Sequence, residues 1–390
     1  MPEDDPLAPR AFRTFNTFSE PSMPADETLQ RLLTRARDLF ARAEPDGPLV
    51  DETRLDRTTT ERLDEIVPPP PWQPVLRDLA HSYAAWLVEP EAGSRVQVVA
   101  LPPGGRDLID AWTRAQALPV LEAPDRALLV DDPGPPAPDL SGKGVLVIPH
   151  LEEWFLRDAA GLDTIRALLA AIAGSERPVF VGCDSWAWAY LSKVADAAML
   201  LPKPYTFQAY DGAHLQAWFG ALTETARAQG IRFRRVENGN DVFETEDDAP
   251  HDMFVRLAAR SLGIPWVAWA LWRASISDLH PNGDDESVPD IHDDDTFWIA
   301  PAPEHVVPDA NRQSALLTIH ALLVHGGLSP HLLSRVLPLP DTDSVVPALV
   351  AAGLVKRSGE GDRTRLSVVS SAYPAVRAAL GDAGLPRDGI

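Results

Sequence analysis

The stretch from Val96 to Trp112, VQVVALPPGGRDLIDAW, constrains the fold of this chain more than any other. It opens on a β-branched apolar run, Val96, Val98 and Val99, which has the composition of a strand. It then turns on Pro102, Pro103, Gly104 and Gly105, a cluster that interrupts both strand and helix. It leaves with Leu108, Ile109 and Trp112 at helical spacing. A strand that turns tightly into an amphipathic helix is the opening of an α/β domain.

Two further continuous apolar runs, Gly144 to Ile148 and Pro178 to Gly182, read as strands buried on both faces. Ala197 to Leu201 reads as a last short strand, and one of Pro119 to Leu121 and Ala127 to Val130 as the second. Helices are expected over Trp72 to Leu87, from about Asp163 to Ala173, and over Ser185 to Val194. Strands and helices alternating in this way predict a three-layer α/β sandwich with a parallel sheet and right-handed crossovers. Ahead of it, residues 1 to about 25 are Pro-rich and expected to be disordered, and a helix is expected through Leu29, Leu32, Leu33, Ala36, Leu39 and Phe40. A short helix over Thr58 to Ile66 and the polyproline spacer Pro68 to Pro71 end this extension.

Beyond the sheet the pattern turns helical. His214 to Ala228, His251 to Leu262 and Pro265 to Ile276 are expected helices, with a hairpin turn at Asn238-Gly239 and acidic loops over Glu244 to Asp252 and Asp278 to Asp295. From Asn311 onward three helices, Ala315 to His325, Ser329 to Leu337 and Asp343 to Ala352, precede two strands, Leu354 to Lys356 and Leu366 to Val369. A closing helix runs over Ala375 to Leu380. Three helices and then a hairpin is the order of a winged helix.

The chain has 390 residues and a net charge of -22, which argues against a surface that embraces nucleic acid or an anionic membrane. Its single cysteine, Cys183, excludes an internal disulfide and fits a reducing compartment, with an inert core thiol as its expected state. No apolar run approaches the ~20 residues of a membrane span. The acidic start, MPEDDPLAPR, lacks the apolar core of a secretory signal. A cytoplasmic protein without direct membrane insertion is expected, and the wealth of Ala, Pro and Arg suggests a GC-rich bacterial genome.

The strand, glycine turn and helix resemble a P-loop, and residues 72 to 280 followed by a winged helix resemble the AAA-type and STAND-type P-loop ATPases. The resemblance implies a three-layer, parallel-sheet P-loop NTPase-like α/β domain over 72–205, behind an N-terminal extension over 1–71. It further implies a helical lid over 206–280, an acidic linker over 281–310 and a winged-helix domain over 311–390. Gly104, Gly105 and Arg106 then match the residues that hold ATP or ADP. The family's chemistry is altered, however. Arg106 and Asp107 stand where Lys and Ser or Thr would serve phosphate and Mg²⁺, and Pro149 and His150 stand where the metal-binding acids would end the strand. Glu152 and Glu153 follow just beyond and are the remaining catalytic candidates. Asp184 matches a sensor residue, or it caps the helix SWAWAYL. Arg273 matches the lid arginine, as a phosphate contact or as a structural ion pair. Trp266, Trp269 and Trp272 recur every three residues and are expected to pack the lid, with Trp269 at the buried centre.

Two other signals have bland readings. Ser141-Gly142-Lys143-Gly144 precedes a strand instead of opening a helix, and so reads as a surface turn. The acidic run with His280, Asp284, Asp285, Glu286, Asp290, His292 and Asp293 to Asp295 lacks ligand-loop spacing and reads as a linker without metal.

The composite expectation is a regulatory or scaffolding protein with a degenerate nucleotide site and either no cofactor or ATP/ADP. It acts on a protein partner, with oligomerisation open. One alternative is an ATPase using Arg106 for phosphate and Glu152 or Glu153 for metal. The other is a winged-helix DNA-binding regulator, which the residues disfavour. From Asn311 onward there are eight basic against six acidic residues, and the third helix, SVVPALVAAG, offers only Ser344 to base edges.

Overall fold

The computed structural model describes residues 5–23, 55–91, 93–131, 135–136, 138–244, 250–279, 295–339 and 342–390. In chain order the elements are β1 (Arg13–Thr14), β2 (Leu55–Arg57), α1 (Thr60–Ile66), α2 (Gln73–Val88), β3 (Val96–Leu101), α3 (Arg106–Ala115), β4 (Leu146–Ile148), α4 (Asp163–Ala173), β5 (Val179–Asp184), α5 (Ser185–Val194), α6 (Ala197–Leu200) and β6 (Tyr205–Thr206). They continue with α7 (Gly212–Leu222), α8 (Glu224–Ala228), β7 (Arg232–Arg235), α9 (Asp252–Arg260), α10 (Pro265–Ser275), β8 (Ile276–Leu279) and β9 (Thr296–Ile299). Last come α11 (Arg312–Val324), α12 (Pro330–Val336), α13 (Thr342–Ala351), β10 (Val355–Ser358), β11 (Arg365–Val368) and α14 (Tyr373–Asp382).

Two compact units share the chain: Met1–Ala8, Glu20–Pro71 and Ala209–Pro303 form one, and Pro9–Ser19, Trp72–Gln208 and Glu304–Ile390 the other. The second unit is built on a five-stranded sheet in the order β1-β6-β3-β5-β4. β3, β4, β5 and β6 run parallel, and β1 is antiparallel at one edge. The valine runs fold this way because both faces are covered. Val98, Ala100, Val179 and Val181 pack with Ile165, Leu168 and Leu169 of α4 on one face. On the other face Phe180 lies 4.5 Å from the Trp112 ring of α3 and 5.1 Å from Tyr83 of α2. The result is helix on sheet on helix, with α3 and α5 leaving the adjacent strands β3 and β5 toward opposite faces. In an open α/β sheet the crevice at such a switch point is where ligands bind.

The same unit carries α11, α12 and α13, then the antiparallel hairpin β10-β11 and α14. Ser329 starts α12 by accepting the Leu332 N–H on its hydroxyl at 3.3 Å.

The first unit holds a four-stranded mixed sheet, β2-β8-β9-β7, with α7, α9 and α10. This corrects the expectation of a helical lid over 206–280, interrupted only by the hairpin turn at Asn238-Gly239, and of an acidic linker over 281–310. The residues Ile276 to Leu279 and Thr296 to Ile299 form strands with Phe297 and Trp298 fully buried. Leu55–Arg57, from the expected extension, supplies a strand of this same sheet. Trp272 packs among Phe219, Phe254, Phe233 and Phe243 at centroid distances of 5.4 to 6.0 Å.

Other expectations also need correcting. Ala197–Leu200 is a turn of helix, not a strand, because Asp196 at φ +53° starts a turn whose carbonyl takes the Met199 and Leu200 N–H groups. The strand comes later, at Tyr205–Thr206. Pro119–Leu121 contributes a single bridge, Val120 to Val147, and Arg126–Val130 is a 3-10 turn. Within the stretch expected to be disordered, Phe12 and Phe15 are buried and Arg13–Thr14 pairs with β6. The helix expected through Leu29 and Phe40 and the acidic residues His280 to Asp294 lie outside the described residues. Among the described residues no helix is long and apolar enough to cross a membrane.

Candidate functional site

A cavity of about 310 Å³ opens at the carboxyl ends of β3 and β5. Its floor is the turn Pro102 to Gly105 and the first residues of α3, with Pro149, His150, Glu152, Cys183 and Asp184 along one wall. Residues of α11, of the turn after it and of the hairpin complete the lining, through Leu322, Gly326, Lys356, Arg365 and Ser367.

The turn is tight because Gly104 sits at φ +93°, a conformation that disfavours any side chain. Pro102 and Pro103 carry no N–H, so the loop can offer an anion few backbone donors. Gly105 is the N-cap of α3 and makes no side-chain cap. Asp107 lies in the first turn, where its charge complements the positive end of the helix.

Arg106 does not extend freely into the cavity. Its Nη1 lies 2.5 Å from Glu153 Oε1, and Arg365 Nη1 from β11 lies 3.1 Å from the same oxygen. Arg365 also donates to the Gly326 carbonyl at 2.9 Å. Partial burial disfavours the Glu153 carboxylate, but the guanidinium groups of Arg106, Arg126 and Arg365 outweigh it and bring its pKa to about 2.

Glu152 and Glu153 sit on the 3-10 turn Leu151–Glu153 that follows β4. The Glu152 side chain faces inward. Its Oε2 accepts the Asp184 N–H at 3.0 Å, and its Oε1 lies 3.5 Å from His150 Nδ1. The other ring nitrogen of His150 lies 2.9 Å from Asp110 Oδ1 on α3. Burial alone would lower the His150 pKa, yet its bonds to Asp110 and Glu152 raise it to about 9. An imidazolium held between two carboxylates therefore sits just beyond the end of β4.

Asp184 caps α5 by accepting the Trp186 N–H at 2.9 Å. Desolvation, and then the nearby Glu152 carboxylate, raise its pKa well above the usual carboxylate range. Cys183 is buried, and burial with the same carboxylates pushes its thiol upward. Among the described residues no cluster of His, Cys, Asp and Glu could hold a metal ion.

The sequence candidates thus divide. Gly104, Gly105, Arg106, Glu152 and Asp184 line one cavity, and Glu153 bonds its rim. Arg273 does not line it. It belongs to the other unit, where its Nη1 meets Asp64 at 2.5 Å and the Val67 carbonyl at 3.0 Å, over the Trp269 ring at 4.4 Å. Trp269 is half-buried beneath that guanidinium, whereas Trp266 and Trp272 are fully buried, so the buried centre is not at Trp269.

Sequence reasoning missed Asp110, Arg126 and the inward role of Arg365. Asp110 stands four residues after Arg106 and so on the same face of α3, which is a readable signal. Arg126 has no local signature. It donates to the carbonyls of Glu152, His325 and Gly327 at 2.6 to 2.7 Å and so joins the end of β4 to the chain after α11.

No family model matches the sequence, and no curated protein does. Among solved structures, the chain is similar to the Aeropyrum pernix ORC2 protein in ADPNP–ADP complexes, at 12% identity over 84% of this chain and 95% of that one, with a TM-score of 0.35. It is also similar to a Thermotoga maritima RuvB variant, at 13% identity over 84% and 97%, TM-score 0.24. The Aeropyrum pernix ORC1 protein in complex with DNA is similar at 16% identity over 86% and 99%, TM-score 0.25. Likeness at these scores carries no argument about chemistry.

Proposed function

We propose that this chain is a P-loop ATPase-like protein whose nucleotide site is degenerate, with a winged-helix C-terminal domain, and that it regulates or scaffolds other proteins through direct contacts. One observation carries the reading: Arg106, the cation in the place of the phosphate-binding lysine, and Arg365 from the hairpin both bind Glu153 Oε1. Phosphate binding would have to break this arrangement and leave a partly buried carboxylate without its partners, at a cost of roughly 1–3 kcal/mol for each bond lost. The loop prolines, the Asp107 carboxylate and the engaged His150 act in the same direction. The inward Arg365 also leaves the hairpin with one cation fewer for a DNA backbone.

Titration calorimetry with ATP and Mg²⁺ tests this reading. The expected result is no saturable heat at ATP concentrations up to about 1 mM, a binding free energy weaker than roughly -4 kcal/mol. A second reading, ATP binding with a nonstandard loop, has one observation in its favour: Arg106, Lys356 and Arg365 line the same cavity at the start of α3. Low-micromolar binding that is lost in Arg106→Ala would establish that reading and overturn the first.

A further inference from the structure

Residues after α14 do not trail away. Asp388 and Ile390 are buried, although Arg387 and Gly389 between and before them are exposed. Asp388 Oδ2 accepts the Ser185 hydroxyl and the Tyr373 hydroxyl, each at 2.6 Å. Its Oδ1 accepts Arg377 Nε at 2.9 Å. Ser185 and Tyr373 are fully buried, and Tyr373 in turn accepts the Trp186 ring N–H at 3.2 Å. The socket is therefore built from the first turn of α5 and from α14, with its donors oriented toward a carboxylate.

Neighbouring positions are fitted as well. A Cβ at Gly381 would collide with the Arg387 guanidinium, so that side chain lies across the bare backbone of α14. A Cβ at Gly389 would fall 2.8 Å from Phe15 Cε1, so only glycine passes there without displacing the ring. Ile390 then enters the core cluster that contains Phe15, Val324 and the sheet valines. Carboxylate, bare backbone and aliphatic side chain are each matched in turn. Alternate anchors along an otherwise exposed segment are how grooves recognise peptides.

We propose that the surface formed by the start of α5, α14 and Phe15 is a peptide-docking groove, filled in cis by residues 387–390. The partner it fits is a protein presenting an extended acidic–glycine–aliphatic segment. Recognition rests on the donors to the carboxylate, because an uncharged amide in its place loses the charge-assisted bonds. The residues Asp382 to Pro386 that lead from α14 to the segment are exposed or half-exposed. Docking of a partner then means exchange of one segment for another on the same anchors.

The test uses the full chain and a fluorescein-labelled hexapeptide with the sequence of residues 385–390. In the double variant Asp388→Ala, Ile390→Ala the cis segment loses both anchors, and fluorescence anisotropy should show saturable peptide binding at least tenfold tighter than to the unsubstituted chain. A peptide with Asn in place of the aspartate should bind at least tenfold more weakly. Equal or absent binding by a double variant with native near-ultraviolet circular dichroism overturns the proposal. If the double variant does not fold, hydrogen exchange on the unsubstituted chain decides. Excess unlabelled peptide should accelerate exchange of the amides of residues 387–390, and unchanged exchange under saturating peptide overturns the proposal equally.

Discussion

Arg365 Nη1, on the hairpin, lies 3.1 Å from Glu153 Oε1, at the carboxyl edge of the parallel sheet. The same oxygen takes Arg106 Nη1 from α3, so one carboxylate joins the turn after β3, the turn after β4 and the hairpin. Fork-shaped guanidinium groups suit this sharing, because each presents several donors in fixed geometry.

Glu153→Gln should therefore destabilise the chain by about 2 kcal/mol, the scale of hydrogen bonds to a charged group at a partly exposed site. Rising salt should weaken the unsubstituted chain and leave the variant nearly unchanged, so the difference between the two should shrink. Urea unfolding at low and high ionic strength measures both. An unchanged midpoint in Glu153→Gln would show that the two arginines find equivalent partners in solvent.

What the sequence disclosed and what it hid follow from the range of the interactions. Val98, Val147 and Val181 were readable because strands covered on both faces are apolar without interruption. The glycine turn and Glu152, Glu153 and Asp184 were readable because each sits at a strand end. The mixed sheet of the other unit was not. β8 follows α10 without a break, β9 lies in a run dominated by acids, and β2 pairs with a strand remote in sequence. The pairing of Arg365 with Glu153 was not readable, because nothing local announces it.

Stability should peak near pH 6.5, and the sign follows from three histidines. The His150 pKa is raised to about 9 by its carboxylate partners, against an unfolded value of about 6.5. Its contribution is complete below pH ~6.5 and is lost as pH rises toward 9. Burial lowers His325 to about 3 and His320 to about 4. The unfolded chain binds more protons there than the folded one, so stability falls as pH drops below ~6.5. Thermal midpoints from pH 4 to 9.5 should trace both limbs, with an alkaline loss on the order of 2 kcal/mol. In His150→Gln the alkaline limb should flatten while the acid limb persists. An alkaline limb of the same depth in that variant would assign it to other groups.

Trp272→Ala should cost roughly 3–5 kcal/mol, the range for emptying a buried aromatic site. The ring is fully buried and contacts four phenylalanines. Trp269→Ala, three residues earlier on the same helix, should cost about 1 kcal/mol, because it removes a half-exposed ring and one guanidinium contact. Chemical denaturation of the two variants in parallel gives the comparison. Equal losses would mean that the two rings are equally buried in solution.

Arg126 offers the sharpest test of how the sheet is joined to the segment after α11. Its Nη1 donates to Gly327 O at 2.7 Å, and its Nη2 to Glu152 O at 2.7 Å and His325 O at 2.6 Å. Burial, and then the positive charge of Arg365, lower its pKa to about 10, so it remains protonated at neutral pH. Replacement by methionine keeps much of the stem and removes every donor, stranding three carbonyls. At about 1–3 kcal/mol for each unpaired buried group, with partial relief from water, Arg126→Met should lose roughly 3–5 kcal/mol. Arg126→Lys should recover only part of this, since a single ammonium cannot reproduce the planar fork. The shape of the unfolding curve carries a second readout. If Arg126 couples the sheet to the C-terminal helices, urea unfolding of Arg126→Met should separate into two steps, one reported by the buried tryptophans packed against the sheet, such as Trp112, and one by helix content. A single transition at the unsubstituted midpoint would mean that the apolar packing of α11 on α5 joins these parts without the arginine.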